Sequence, residues 1–139
     1  HLSNAKLHSI QNTAPRNVTR SRKYDHITPA LKRLHWRPVK FRIDFKILLL
    51  TFRALHGLAL VYISDLLCRH EPTRALRSSN GMLLRVPMSR LRSYGDRAFS
   101  HASPRLWNSL PAGLRAKDSF TSFKTALKTH LFRLAFAET

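Results

Sequence analysis

One stretch limits the possible folds of this chain more than any other: PVKFRIDFKILLLTFRALHG, residues 38–57. Proline suits the first turn of a helix, where its missing N–H leaves nothing unpaired. Glycine suits the left-handed position just past a helix end. The residues between them predict a helix of about five turns. At the helical period two apolar faces emerge. Phe41, Phe45, Leu48, Phe52 and Leu55 share one, with Leu49 at its edge; Val39, Ile43, Ile47, Leu50 and Ala54 share the other. Arg42, Lys46 and Arg53 run along one seam, and Lys40, Asp44 and Thr51 along the opposite one. A helix apolar on two sides has to be covered on two sides, so this one is expected at the centre of the domain.

That helix is not a membrane span. Its longest uncharged run, Ile47 to Phe52, falls far short of the ~20 apolar residues a bilayer requires. A helix lying on a membrane surface would show one apolar face rather than two. The expected partner is instead set by charge. The chain of 139 residues carries 25 Lys and Arg against 7 Asp and Glu, a net charge of +18. Such an excess repels itself in a compact state and calls for a polyanion, most simply nucleic acid. Arg outnumbers Lys by 17 to 8, and its planar fork matches phosphate.

The flanking segments read as further helices. Residues 2–14 predict a short one, with Leu2, Ala5 and Ile10 as its contacts. Residues 15–26 predict an exposed basic connection carrying Arg16, Arg20, Arg22 and Lys23. Thr28-Pro29 is a cap followed by a first-turn proline. It opens a helix with Leu31 and Leu34 inward, Lys32 and Arg33 outward, and Trp36 packed in the corner before Pro38. Ile63, Leu66 and Leu67 suggest a short helix after Gly57. Asn80-Gly81 predicts a two-residue hairpin turn over about 74–87, with Arg74, Arg77, Arg85, Arg90 and Arg92 mostly exposed. Ser103-Pro104 repeats the cap-plus-proline signal before a short helix carrying Leu106, Trp107 and Leu110, stopped by Pro111. Asp118-Ser119 opens a last, one-faced helix with the stripe Phe120, Phe123, Leu127, Leu131 and Leu134.

The expected fold is therefore mainly α, formally α+β: a small helical domain around a central buried helix, with one short β-hairpin. Residues 1–26 form an N-terminal helix and basic connection, 27–136 the helical domain, and 137–139 a tail.

The residues that chemistry requires are sparse. The seven acids are scattered, with no two adjacent or two apart, so no two-metal carboxylate cluster suggests itself. Asp44 has Lys40 one turn earlier and reads as an ion-paired structural residue. No pair of histidines has H-x-x-x-H spacing, and Cys68-x-His70 is short of the four ligands of a closed zinc site. Cys68, the single cysteine, cannot close an internal disulfide and reads as a buried thiol on a helix. Four glycines, all far apart, offer no phosphate-cradling loop. Tyr24, Trp36, Tyr94 and Trp107 lie near arginines, where a ring either stacks a base or packs; packing is the commoner role for the two tryptophans. No catalytic residue, metal site, cofactor or small-molecule substrate is expected.

Beyond these readings, an ordered set of short motifs resembles the region downstream of the polymerase core in LINE-type, non-LTR retrotransposon reverse transcriptases. The set begins with Asp25-His26-Ile27-Thr28-Pro29, Leu34-His35-Trp36, Pro38-Val39 and Arg42-Ile43-Asp44-Phe45-Lys46. It continues with Tyr62-Ile63-Ser64-Asp65-Leu66, Leu76-Arg77-Ser78-Ser79 and Pro104-Arg105-Leu106-Trp107-Asn108-Ser109-Leu110-Pro111. Phe123-Lys124, Leu127-Lys128 and Leu131-Phe132 complete it. Arg37 departs from the pattern, where an apolar residue is usual between Trp and Pro. The resemblance implies a parent with endonuclease and RNA-directed DNA polymerase activities, but this chain lacks the family's Asp-Asp polymerase signature and has no zinc knuckle. It begins without Met and without an apolar leader, and reads as an intracellular fragment, nuclear or cytoplasmic and not secreted.

The expected function is non-catalytic binding of RNA or DNA phosphates with little sequence preference. The candidate contacts are Arg16, Arg20, Arg22, Lys23, Lys32, Arg33, Arg37, Arg74, Arg77, Arg85, Arg90 and Arg92. No membrane partner is expected. The alternative is a structural fragment that docks on the missing polymerase core, or a decayed copy without activity.

Overall fold

The computed structural model describes residues 2–71, 82–88, 95 and 98–137, and it is mainly helical. Seven helices follow one another among these residues: α1 (Leu2–Thr19), α2 (Ile27–Arg33), α3 (Val39–Leu55), α4 (Val61–Ser64), α5 (Phe99–Ser109), α6 (Ala112–Arg115) and α7 (Phe120–Phe136). The chain forms two compact units. One comprises His1–Phe45 with Lys128–Thr139, the other Lys46–Leu127. Helices α3 and α7 each begin in one unit and end in the other.

In the first unit α1 packs against α2. Helix α1 is longer than residues 2–14, because Pro15 does not end it. An interior proline costs a helix about 3 kcal/mol through its missing N–H and its ring clash. Here the ring is fully buried, which offsets that cost. The expected contacts are also displaced. Ala5 and Ile10 are exposed, and Gln11 and Pro15 turn inward instead. Gln11 Nε2 donates to the Arg37 carbonyl at 2.6 Å and so ties α1 to the turn before α3.

Helix α2 starts one residue before Thr28, with His26 at its cap position and no side-chain cap. Leu31 is buried while Lys32 and Arg33 are exposed. Its end is a Schellman turn: His35 sits at φ 53, its N–H bonds the Lys32 carbonyl, and the Trp36 N–H bonds the Leu31 carbonyl. That turn throws Trp36 outward. The residue is 40% exposed rather than packed in the corner.

Helices α1 and α3 end in the same way, with left-handed Arg20 (φ 53) and Gly57 (φ 69). The Ser21 and Leu58 N–H groups reach back to the Arg16 and Arg53 carbonyls. Helix α3 is buried along its Phe45, Leu48 and Phe52 side. The second apolar face is only partly covered: Ala54 is buried, Ile47 and Leu50 are half-buried, and Ile43 is exposed.

The second unit is organised around Phe52, Trp107, Phe123 and Leu127, all fully buried. Phe52 stacks on Phe123 with centroids 4.5 Å apart and on His56 at 3.9 Å, while Trp107 tilts against Phe123 at 5.7 Å. Such ring pairs add about 0.5–1.5 kcal/mol each beyond the area they bury. Helix α5 also runs through its proline. Ser103 is not a cap but a buried helical residue bonded to Thr51, and Pro104 is fully buried beside it. On α7, Phe123, Leu127 and Leu131 are buried as the stripe requires. Leu134, by contrast, is half exposed, and Phe136 is buried in its place.

The hairpin expected over 74–87 lies mostly outside the described residues, including Asn80-Gly81. Its later arm is described, and it pairs with residues just after α4. Leu84 and Arg69 form an isolated antiparallel bridge, flanked by bonds from His70 N–H to Leu83 and from Arg85 N–H to Cys68. Asn108 then holds the free edge of this segment. Its side-chain oxygen accepts from the Leu84 N–H at 2.9 Å, and its amide donates to the Leu84 carbonyl at 2.8 Å. The Trp107 indole N–H donates to the Met82 carbonyl at 2.8 Å. Leu84 is buried as a result.

Candidate nucleic-acid interface

The basic residues after α1 are positioned by its Schellman end and by a tight loop. Asp25 Oδ2 accepts from the Arg22 N–H at 2.7 Å, which curls residues 22–25 and leaves the side chains of Arg20, Arg22 and Lys23 exposed. Arg16, one turn from the helix end, is half-buried and donates through Nη2 to the Asp25 carbonyl at 3.3 Å. Its Nε is buried without a hydrogen-bond partner. The result is an open groove of ≈ 800 Å³ whose described lining includes His8, Asn12, Arg16, Asn17, Ser21 and Lys23. Two cations and several neutral donors line it, and no acidic side chain is among its described lining. That is the composition a phosphate backbone favours.

A second basic region surrounds the α2–α3 turn. Arg37 is half-buried, with its guanidinium 4.4 Å from the Phe45 ring centre. Burial lowers its pKa from the ordinary arginine value, and the like charge of Arg42 adds to the effect. Nη1 of Arg37 is buried and has no hydrogen-bond partner. Two clefts are lined by His35 and Arg37 in common: one adds Trp36 and Arg42, the other Lys128, Thr129 and Phe132. His35 stacks on Phe132 with centroids 5.3 Å apart.

Of the expected contacts, then, Arg16 and Lys23 share the α1 groove, and Arg37 lines the second region. Lys32 and Arg33 are exposed on α2, and Arg85 is exposed beside the bridge; none of the three is among the lining of the groove or of the two clefts. Arg74, Arg77, Arg90 and Arg92 lie outside the described residues. Arg42 and Lys128 join Arg37 although neither stood among the candidates. In the sequence Arg42 stands out as part of a basic seam and of a short motif, and Lys128 only within the motif Leu127-Lys128.

Other expectations change in detail. Burial raises the Asp44 carboxyl above its ordinary pKa and outweighs the opposing pull of Lys40, so desolvation rather than pairing dominates there. Cys68 is exposed and follows α4 in an extended segment, so it is not a buried helical thiol. Among the described residues no group of three or more His, Cys, Asp or Glu could hold a metal ion. No described helix is long and apolar enough to cross a membrane. The chain matches no protein-family model, no curated protein and no solved structure.

Proposed function

We propose that this chain is a non-catalytic nucleic-acid-binding segment of a LINE-type reverse transcriptase, lying downstream of the polymerase core and acting in the nucleus or cytoplasm. The ordered motifs support the family, and the net charge of +18 supports the partner. The observation that carries the reading most directly is the α1 groove, where Arg16 and Lys23 meet neutral donors with no acid among the described lining. Contacts of this kind read phosphate rather than base identity, so little sequence preference follows.

The experiment is a double substitution, Arg16→Gln with Lys23→Gln, measured by fluorescence anisotropy on RNA and on duplex DNA. Each lost phosphate contact should flatten the log K against log salt plot by about one unit. Unchanged affinity and slope would remove the groove from the interface.

A second reading, docking on a polymerase core, has its own support. Leu7, Ile10, Ala14 and Val18 share one exposed face of α1, and Leu58, Leu60, Val61 and Tyr62 are exposed around α4. It predicts aggregation of the isolated chain and rescue by co-expression with the polymerase core. A monomer with a sharp thermal transition contradicts it.

A further inference from the structure

The α2–α3 turn combines three features that separately would mean little. Trp36 is 40% exposed, in a chain whose other tryptophan, Trp107, is fully buried. The left-handed His35 holds it there, because the Schellman bonds fix the backbone on both sides of the ring. Beside it, Arg37 and Arg42 line one cleft, while Arg37 and Lys128 line the other. No acid is among the described lining of either. Arg37 Nη1 is buried with no acceptor, a group that an anion oxygen would satisfy.

We infer that this turn is a single-strand binding site, in which Trp36 stacks an unpaired base and Arg37, Arg42 and Lys128 hold the phosphates on either side of it. An aromatic face flanked by cations suits a nucleotide chain whose bases are free, since every base has a π-face. In a duplex those faces are already stacked on their neighbours and out of reach of the indole. The cations alone would not distinguish the two forms, whereas the ring does. The inference rests on the phosphate-binding reading above and adds strand state to it.

The test uses the full chain with a single-stranded oligothymidylate and a duplex of matched length. Because Trp107 is buried, emission changes on binding report Trp36. The single strand should quench emission, and Trp36→Ala should weaken its binding by about tenfold or more. Trp36→Phe, which keeps a ring, should restore most of the loss, and duplex affinity should not change in either variant. Arg42→Gln should weaken both probes. Salt-sensitive binding that Trp36→Ala leaves intact, or weakens equally for strand and duplex, overturns this site while sparing the phosphate-binding reading. Failure of both probes to bind overturns both.

Discussion

The Thr51 hydroxyl lies 2.6 Å from that of Ser103, and both residues are fully buried. Thr51 also donates to the Ile47 carbonyl at 2.8 Å. A hydroxyl has one hydrogen, so Thr51 spends its own on Ile47 and accepts from Ser103. Helices α3 and α5 are thus joined by a directional bond inside an otherwise apolar core.

That direction makes the two partners unequal. Thr51→Val strands the Ser103 hydroxyl and should cost about 1–3 kcal/mol, whereas Ser103→Ala leaves Thr51 satisfied and should cost about 1 kcal/mol. The double variant should be more stable than the sum of the two losses predicts. Urea denaturation of the four proteins measures this cycle, and strict additivity would show that the bond contributes nothing.

The aromatic cluster sets the stability of the second unit. Phe52 is wholly buried against Phe123 and His56. Phe52→Ala should destabilise by about 3–5 kcal/mol, a large share of a domain's usual margin. Far-ultraviolet circular dichroism during heating should show a much lower or broader transition; an unchanged midpoint would place the core elsewhere.

Backbone strain predicts a gain. Arg20 holds φ 53 at the end of α1 with its side chain exposed. A left-handed conformation costs a residue with a Cβ roughly 1–2 kcal/mol that glycine avoids. Arg20→Gly should therefore raise stability by about 1 kcal/mol while removing one basic charge. A lower melting temperature would mean that the Arg20 side chain makes a contact worth more than the strain.

Burial lowers the His130 pKa below its ordinary 6.5. The unfolded chain then binds more protons than the folded one between the folded value and 6.5, so stability falls as pH drops through that window. Asp44 works the other way. Its carboxyl is raised above 3.8, so the folded chain binds more protons just above 3.8 and stability falls there as pH rises. His130→Gln should flatten the first slope and Asp44→Asn the second. Chemical denaturation at a series of pH values reads both, and slopes that survive both substitutions would assign them to other groups.

Much of this architecture is legible in the residues. The Phe123, Leu127 and Leu131 stripe and the left-handed Gly57 follow from local rules that tertiary packing leaves alone. Pro15 and Pro104 do not. Each reads locally as a helix boundary, yet each ring is buried inside a helix, and only the neighbouring elements supply the surface that makes burial worthwhile. The second face of α3 is apolar by composition but half-open in fact, because pattern shows what could be buried and not how much is available to cover it. For the interface, charge pointed to Arg16, Lys23 and Arg37. Arg42 follows Arg37 by five residues, but Lys128 lies 91 residues further along the chain than Arg37, and no local spacing encodes that meeting.

The central claim is that surplus cationic side chains meet a phosphate chain, and a salt titration of binding tests it most directly. Across about 50 to 200 mM salt, log K should fall linearly with log salt, by about 0.9 per phosphate contacted on duplex DNA and about 0.7 on a single strand. With several contacts the slope should be about −3 or steeper. An affinity for nucleic acid that does not change with salt would contradict the account.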